Sequence, residues 1–182
     1  DTEVLVETVL KLDLPEDARV ADLGTGTGAI ALSLASERPN WFVTASDIYA
    51  PTLEVAKYNA EQHDIENVEF VLGSWLKPFG RQFFDAIVSN PPYIDANDAH
   101  MSNLATEPER ALVADKKGLA DLEDVIIQAK KHLTVNGWVV LEHGYDQADA
   151  VQHLFKQAGY KQVRTVKDYG GNDRVTLAKW PH

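Results

Sequence analysis

Apolar positions along this chain change period several times, and the changes mark an alternation of helices and strands. Val4, Leu5, Thr8, Val9 and Leu12 recur at helical spacing, which predicts a short amphipathic helix over residues 1–12. Segments 19–23, 42–46, 67–72 and 138–142 read as strands, and the apolar run 83–89 as a buried one. Between them lie helical stretches at 28–38, with a small-residue face, at 51–63, opened by Pro51, and at 118–133. A last helix, 145–158, is stopped by Gly159. Strands at 161–168 and 174–180 follow, joined by Tyr169-Gly170-Gly171-Asn172-Asp173, short enough for a hairpin. Residues 95–117 are polar with little periodicity and read as a long loop, and Asn136-Gly137 reads as a turn. Strands alternating with helices predict an α/β fold: a mostly parallel seven-stranded sheet with helices on both faces. No helix separates the last two strands, so one of them must run antiparallel.

Composition narrows the partners more than the fold. The 182 residues suit one domain, with 45% hydrophobic and 25% charged residues. There is no cysteine, which excludes disulfides, thiolate metal sites and a cysteine nucleophile. The six histidines show no metal-ligand spacing, so no metal site is expected. No apolar run reaches the ~18 residues that span a bilayer, and no signal-peptide pattern is visible. The expectation is a cytoplasmic protein with no membrane partner. A net charge of −11 argues against direct nucleic-acid binding, which depends on Lys and Arg neutralising phosphates. A chain opening on Asp1 rather than Met reads as a fragment or a processed product.

Candidate chemistry begins after the first strand. Asp22-Leu23-Gly24-Thr25-Gly26-Thr27-Gly28 places three glycines within five residues between a strand and a helix. They let the backbone turn tightly and approach a ligand with no Cβ in the way. Asp47 ends the second strand about 20 residues further on, where a carboxylate can take both hydroxyls of a ribose. Together they predict an adenosine-type pocket. Gly24, Gly26 and Ala29 also satisfy a dinucleotide fingerprint, so the loop does not separate a nicotinamide dinucleotide from S-adenosylmethionine.

The fourth strand ends in Asn90-Pro91-Pro92-Tyr93. Prolines cannot continue a central strand, so the chain leaves the sheet here in a stiff shape, at the strand end where open α/β sheets place ligands. An amide or exocyclic amino nitrogen is a poor nucleophile, because its lone pair is delocalised. Accepting hydrogen bonds from both its N–H groups orients it and favours the tetrahedral geometry of attack. The Asn90 side-chain oxygen and the Pro91 carbonyl are suited to this, with Tyr93 packing against the planar group. Aligning such a nitrogen with a sulfonium methyl is an orientation effect. A nicotinamide enzyme has no use for this turn.

With these motifs the chain resembles a class I S-adenosylmethionine-dependent methyltransferase, and the Asn-Pro-Pro-Tyr form resembles those acting on amino nitrogens. More narrowly, several segments are similar to the release-factor glutamine methyltransferases, the PrmC (HemK) family. They are Asp22 to Ala31, Val88-Ser89-Asn90-Pro91-Pro92-Tyr93-Ile94, Leu141-Glu142-His143-Gly144, Asp173-Arg174-Val175 and the opening Asp1-Thr2-Glu3. The resemblance implies a Rossmann-like methyltransferase fold with S-adenosyl-L-methionine as methyl donor and S-adenosyl-L-homocysteine as product. It implies cofactor contacts from Gly24, Thr25, Gly26, Thr27, Gly28, Asp47, Ser74, Trp75 and Asn90. It implies substrate contacts from Asn90, Pro91, Pro92 and Tyr93, with Asn90, Pro91 and Tyr93 catalytic. The substrate it implies is the glutamine of the Gly-Gly-Gln motif in class I peptide chain release factors, acting in translation termination. Residues 1–182 would be the catalytic domain, without the family's N-terminal helical docking domain, and a monomer. Ser74 departs from the family, which often has an acid there beside the adenine.

Other residues have plainer readings. His143 reads as a structural histidine satisfied by loop backbone, and Trp41, Trp138 and Trp180 as packing residues. Asp121, Glu123 and Asp124 read as charges favourable to a helix start. Glu107-Pro108 resembles a family feature that closes over substrate. The competing functions are an amino-group methyltransferase acting on a flipped nucleic-acid base, a nicotinamide oxidoreductase and a non-catalytic binding module.

Overall fold

The structure is a computed structural model that describes the backbone of residues 2–91 and 107–182, and the side chains of residues 2–91 and 118–182. Helix α1 (Thr2–Leu10) precedes β1 (Arg19–Leu23), α2 (Ala29–Glu37), β2 (Phe42–Asp47), α3 (Ala50–Gln62) and β3 (Val68–Leu72). After a 3-10 turn (Lys77–Phe79) come β4 (Phe84–Ser89), α4 (Glu107–Ala129), β5 (Leu133–Glu142), α5 (Ala148–Gln157), β6 (Lys161–Lys167) and β7 (Asp173–Lys179). The seven strands form one sheet in the order β3-β2-β1-β4-β5-β7-β6. Strands β1 to β5 pair in parallel, and β7 lies antiparallel to both β5 and β6. The expected mixed sheet is therefore present, and β7 is its reversed strand.

Alternation along the strands divides the core in two. Val20, Val43, Ala45, Val88, Val140 and Val175 face α1 and α2. Ala21, Leu23, Ile87, Val139, Leu141 and Ala178 face α4 and α5. Strands β1, β2 and β4 and the second half of β5 are buried on both faces, whereas the edge strand β3 is only partly covered.

Two predicted elements differ. Helix α4 starts at Glu107, inside the stretch expected to be loop, and ends at Ala129 rather than at residue 133. Pro108 near its start and the acidic Glu107 and Glu109 suit a first helical turn. The interior Gly118 costs about 1 kcal/mol. Burial of Leu122, Val125 and Ile126, spaced to share one face, outweighs it at about 1.5–3 kcal/mol each. The other difference is at Asn136-Gly137, which does not break the sheet. It is a bulge within β5, with Asn136 at φ 66°, where pairing with β4 jumps from Phe84↔Leu133 to Ala86↔Trp138. The rest of the loop expected at 95–117 lies outside the described residues.

Strand β1 pairs with β2 on one side and β4 on the other, so the winding of the sheet reverses between β1 and β4. A crevice outside the carboxyl ends of the strands at that point is where such sheets bind ligands.

Candidate active site

At the carboxyl edge, Leu23 pairs with Ser46 and with Ser89, and Ser89 pairs with Leu141. One residue further on, Asp47, Gly24, Asn90 and Glu142 form a row across β2, β1, β4 and β5. All four share the sheet face of α1 and α2, since Ala45, Val88 and Val140, two positions before Asp47, Asn90 and Glu142, face that way. Leu72 pairs with Asp47 at one end of the row, and Val175 pairs with Glu142 at the other. Gly24 has no side chain, so a gap two strand spacings wide, roughly 10 Å, separates Asp47 from Asn90.

The glycine loop fills the Asp47 side of this gap with backbone. Gly24, Gly26 and Gly28 have φ of 67°, 58° and 89°. A Cβ on Gly26 would meet nothing within 4 Å, so this glycine serves its left-handed backbone and leaves open space above it. A Cβ on Gly28 would lie 3.2 Å from the Ala56 Cβ, so this glycine lets α2 pack close to α3. The loop is tied down throughout. Gly26 N donates to Asp47 Oδ2 at 2.9 Å, Thr25 Oγ1 to Asp22 Oδ2 at 2.7 Å, and Asn59 Nδ2 to the Thr27 carbonyl at 3.0 Å. Asp47 Oδ1 also accepts from Tyr49 N at 3.0 Å. Each carboxylate oxygen keeps a further acceptor direction for a ligand. Ile48 and Leu72 flank Asp47 with exposed apolar surface.

Ser74 and Trp75 are brought beside Asp47 by two bonds: Gly73 N donates to the Asp47 carbonyl at 2.9 Å, and Ser46 Oγ to the Trp75 carbonyl at 3.1 Å. Trp75 is half-buried with φ 46°, a left-handed conformation rare for a bulky residue. Asn90 is half-buried, and its Oδ1 is buried without a partner. Pro91 is buried beside it, whereas Pro92 and Tyr93 lie outside the described residues. The structure thus gathers Gly24 to Gly28, Asp47, Ser74, Trp75, Asn90 and Pro91 along one edge.

Two acidic residues join them that the sequence reading did not select. Asp22 is fully buried on the α1–α2 face, with Oδ1 unpartnered. Burial raises its carboxyl from 3.8 to about 7, against the hydrogen bonds from Thr25 and Ala31, and the charge of Asp47 adds to the rise. Glu142 is buried with Oε2 unpartnered, and burial again raises it, against the pull of Arg174. The available signal was a carboxylate ending an otherwise apolar strand. His143, by contrast, has both ring nitrogens bonded, to the Gly144 carbonyl at 2.8 Å and Thr176 Oγ1 at 2.7 Å. Among the described residues no helix is long and apolar enough to cross a membrane.

The methyltransferase small domain family matches residues 1–169, and the chain belongs to that family. Within it the chain is similar to release factor glutamine methyltransferases. It is 51% identical to that of Yersinia pestis and 47% identical to that of Aliivibrio fischeri, over 99% of its own length in each case. It spans 66% and 64% of those two relatives, a little under two thirds. A solved structure of a release factor-specific protein-(glutamine-N5) methyltransferase from Alicyclobacillus acidocaldarius is 31% identical, with a TM-score of 0.62. That match covers all of this chain and 92% of the solved one.

Proposed function

We propose that this chain methylates the side-chain amide nitrogen of the glutamine in the Gly-Gly-Gln motif of a class I peptide chain release factor, with S-adenosylmethionine as donor. The observation that carries the reading is the row Asp47–Gly24–Asn90, which sets a ribose-type acceptor and an unfilled amide oxygen on either side of a glycine gap. The similarity to release factor glutamine methyltransferases supports the substrate.

The residues present fit that donor. Asp47 takes the ribose hydroxyls with its remaining acceptor directions, and the left-handed glycines keep the floor of the pocket free of side chains. Trp75 and Ser74, with Ile48, border the adenine end. The orphaned Oδ1 of Asp22 is suited to the ammonium of the methionine part, a cation that would hold this carboxyl ionised. When bound, S-adenosylmethionine supplies an electrophilic sulfonium methyl and leaves as S-adenosylhomocysteine.

The substrate side is the work of the turn after β4. Asn90 Oδ1 accepts one N–H of the target amide and the Pro91 carbonyl accepts the other, which orients the nitrogen toward the methyl. Pro92 and Tyr93 complete the grip, with the Tyr93 ring against the amide plane. The C–N bond forms as the sulfonium C–S bond breaks, and the nitrogen's surplus proton passes to solvent water. Residues 1–182 act as the catalytic unit, as a monomer in the cytoplasm.

Transfer of labelled methyl to a purified release factor tests the proposal. Its Gln→Ala tip variant serves as the blank and single-stranded DNA as the competing substrate. Label on the wild-type factor alone is expected. Label on DNA but not on the factor would replace this reading with base methylation.

A further inference from the structure

Six buried side-chain atoms among the described residues have no hydrogen-bond partner. Thr44 Oγ1, Gln82 Oε1 and Gln128 Oε1 are scattered away from the row. The other three, Asp22 Oδ1, Asn90 Oδ1 and Glu142 Oε2, gather at the carboxyl edge on one sheet face. Buried polar atoms are almost always paired, and this fold pairs them even at the end of β5, where His143 is fully bonded. An orphaned carboxylate oxygen next to it calls for a donor from outside.

Position along the row says which donor. Asp47 and the glycine loop occupy the cofactor side, and Asn90 stands at the meeting point. Glu142 lies one strand beyond Asn90, about 5 Å further from Asp47. The two N–H groups of a target amide are already taken by Asn90 and Pro91. The next donors of a bound polypeptide are its main-chain N–H groups. Glycines bring these closest, because no Cβ holds the backbone away from a recessed carboxylate.

We propose that Glu142 is a second substrate-contacting residue, whose free Oε2 accepts a main-chain N–H of the glycines preceding the target glutamine. This rests on the release-factor reading and extends it. Glu142 would make the enzyme selective for small residues beside the glutamine, and Asn90 for the amide itself.

The test is steady-state methyl transfer to a purified release factor by the 182-residue chain and its Glu142→Leu variant, with cofactor affinity by calorimetry and melting temperature in parallel. Loss of a charge-assisted hydrogen bond predicts a KM for the factor raised about tenfold or more. It predicts kcat within a few-fold, unchanged cofactor affinity, and a melting temperature equal or higher because the orphan is gone. Glu142→Gln, which keeps an acceptor oxygen, should recover part of the KM. A wild-type KM in Glu142→Leu overturns the inference, as does a KM that rises only together with lost cofactor affinity. If the leucine variant does not fold, Glu142→Met is judged on the same KM criterion. A wild-type chain that binds S-adenosylmethionine but methylates no release factor overturns the underlying reading, and this inference with it. Normal wild-type transfer with an unaffected Glu142→Leu overturns this inference alone.

Discussion

Glu142 and His143 are neighbours at the end of β5, both buried, on opposite faces of the sheet. On the α4–α5 side, the polar groups around His143 form a closed chain. Gln152 Nε2 donates to Thr165 Oγ1 at 2.7 Å, and the Thr165 and Thr176 hydroxyls are 2.7 Å apart. Thr176 in turn meets His143 Nε2, and His143 Nδ1 meets the Gly144 carbonyl. A carbonyl only accepts, so Nδ1 carries the proton, and each hydroxyl donates onward toward Nε2 of a neutral ring. Burial lowers the His143 pKa and favours that form. On the α1–α2 side Asp22, Asn90 and Glu142 each keep an unpartnered oxygen. The hydrogen-bonded chain around His143 is finished as structure, while three buried acceptor oxygens on the other face of the same edge have no donor. That asymmetry separates a site from a core at one sheet edge, and removing residues on each side tests it.

The largest effect belongs to Asn90. Asn90→Ala deletes the acceptor at the reacting centre and is expected to lower kcat about 10²–10³-fold, the scale of losing one preorganised polar contact in a transition state. Cofactor affinity should stay within several-fold by calorimetry. Unchanged turnover would mean that those acceptors stand open for another reason. Asp47→Ala comes next. It removes ribose acceptors and the anchor of Gly26, so S-adenosylmethionine should bind about 100-fold more weakly. Binding of NADH instead would return the glycine loop to its dinucleotide reading.

Much of this architecture was legible in the sequence. The central strands were visible because burial on both faces makes them largely apolar runs, unlike the edge strands β3 and β6. Asp47 and Asn90 were visible because each ends such a run. The first half of α4 was not, because its turns are polar and precede Gly118, whereas the second half, predicted from residue 118, carries the buried face. Glu142 was passed over as well. A carboxylate after an apolar run is unremarkable until the register sets it beside Asn90 and the packing leaves Oε2 without a donor. Pairing across strands and the completeness of hydrogen bonding are properties of the folded chain alone.

Asp22 sharpens the comparison through pH. Its ordinary pKa is 3.8 and its folded value is about 7, so the folded state holds this proton more tightly than the unfolded state. The associated stability is present at low pH and is lost as pH rises from about 4 to about 7. A shift of this size implies a change on the order of 2–3 kcal/mol between pH 5 and pH 8. Asp22→Asn has no proton to lose. Denaturant titrations should show it gaining on the wild type at pH 8 relative to pH 5, and parallel profiles would show that Asp22 is already paired. Saturating S-adenosylmethionine should shrink the difference by supplying the missing cation.

The smallest effect is expected in the closed chain around His143. Thr176→Val keeps the shape of a fully buried side chain and removes the hydroxyl between Thr165 and His143. Two groups then lose a partner, at a cost of about 1–2 kcal/mol, or about 4 °C in melting temperature for a chain of this size. The variant ring has lost the donor that favoured its neutral form. The stability His143 contributes is present above its unfolded pKa and lost as pH falls, so the variant's deficit should be larger at pH 7 than at pH 5. Methyl transfer should stay within twofold of wild type at pH 7.5. A large fall in kcat with unchanged stability would break the division between the two faces, because it would mean that the hydroxyl chain reaches through His143 into the chemistry at the end of β5.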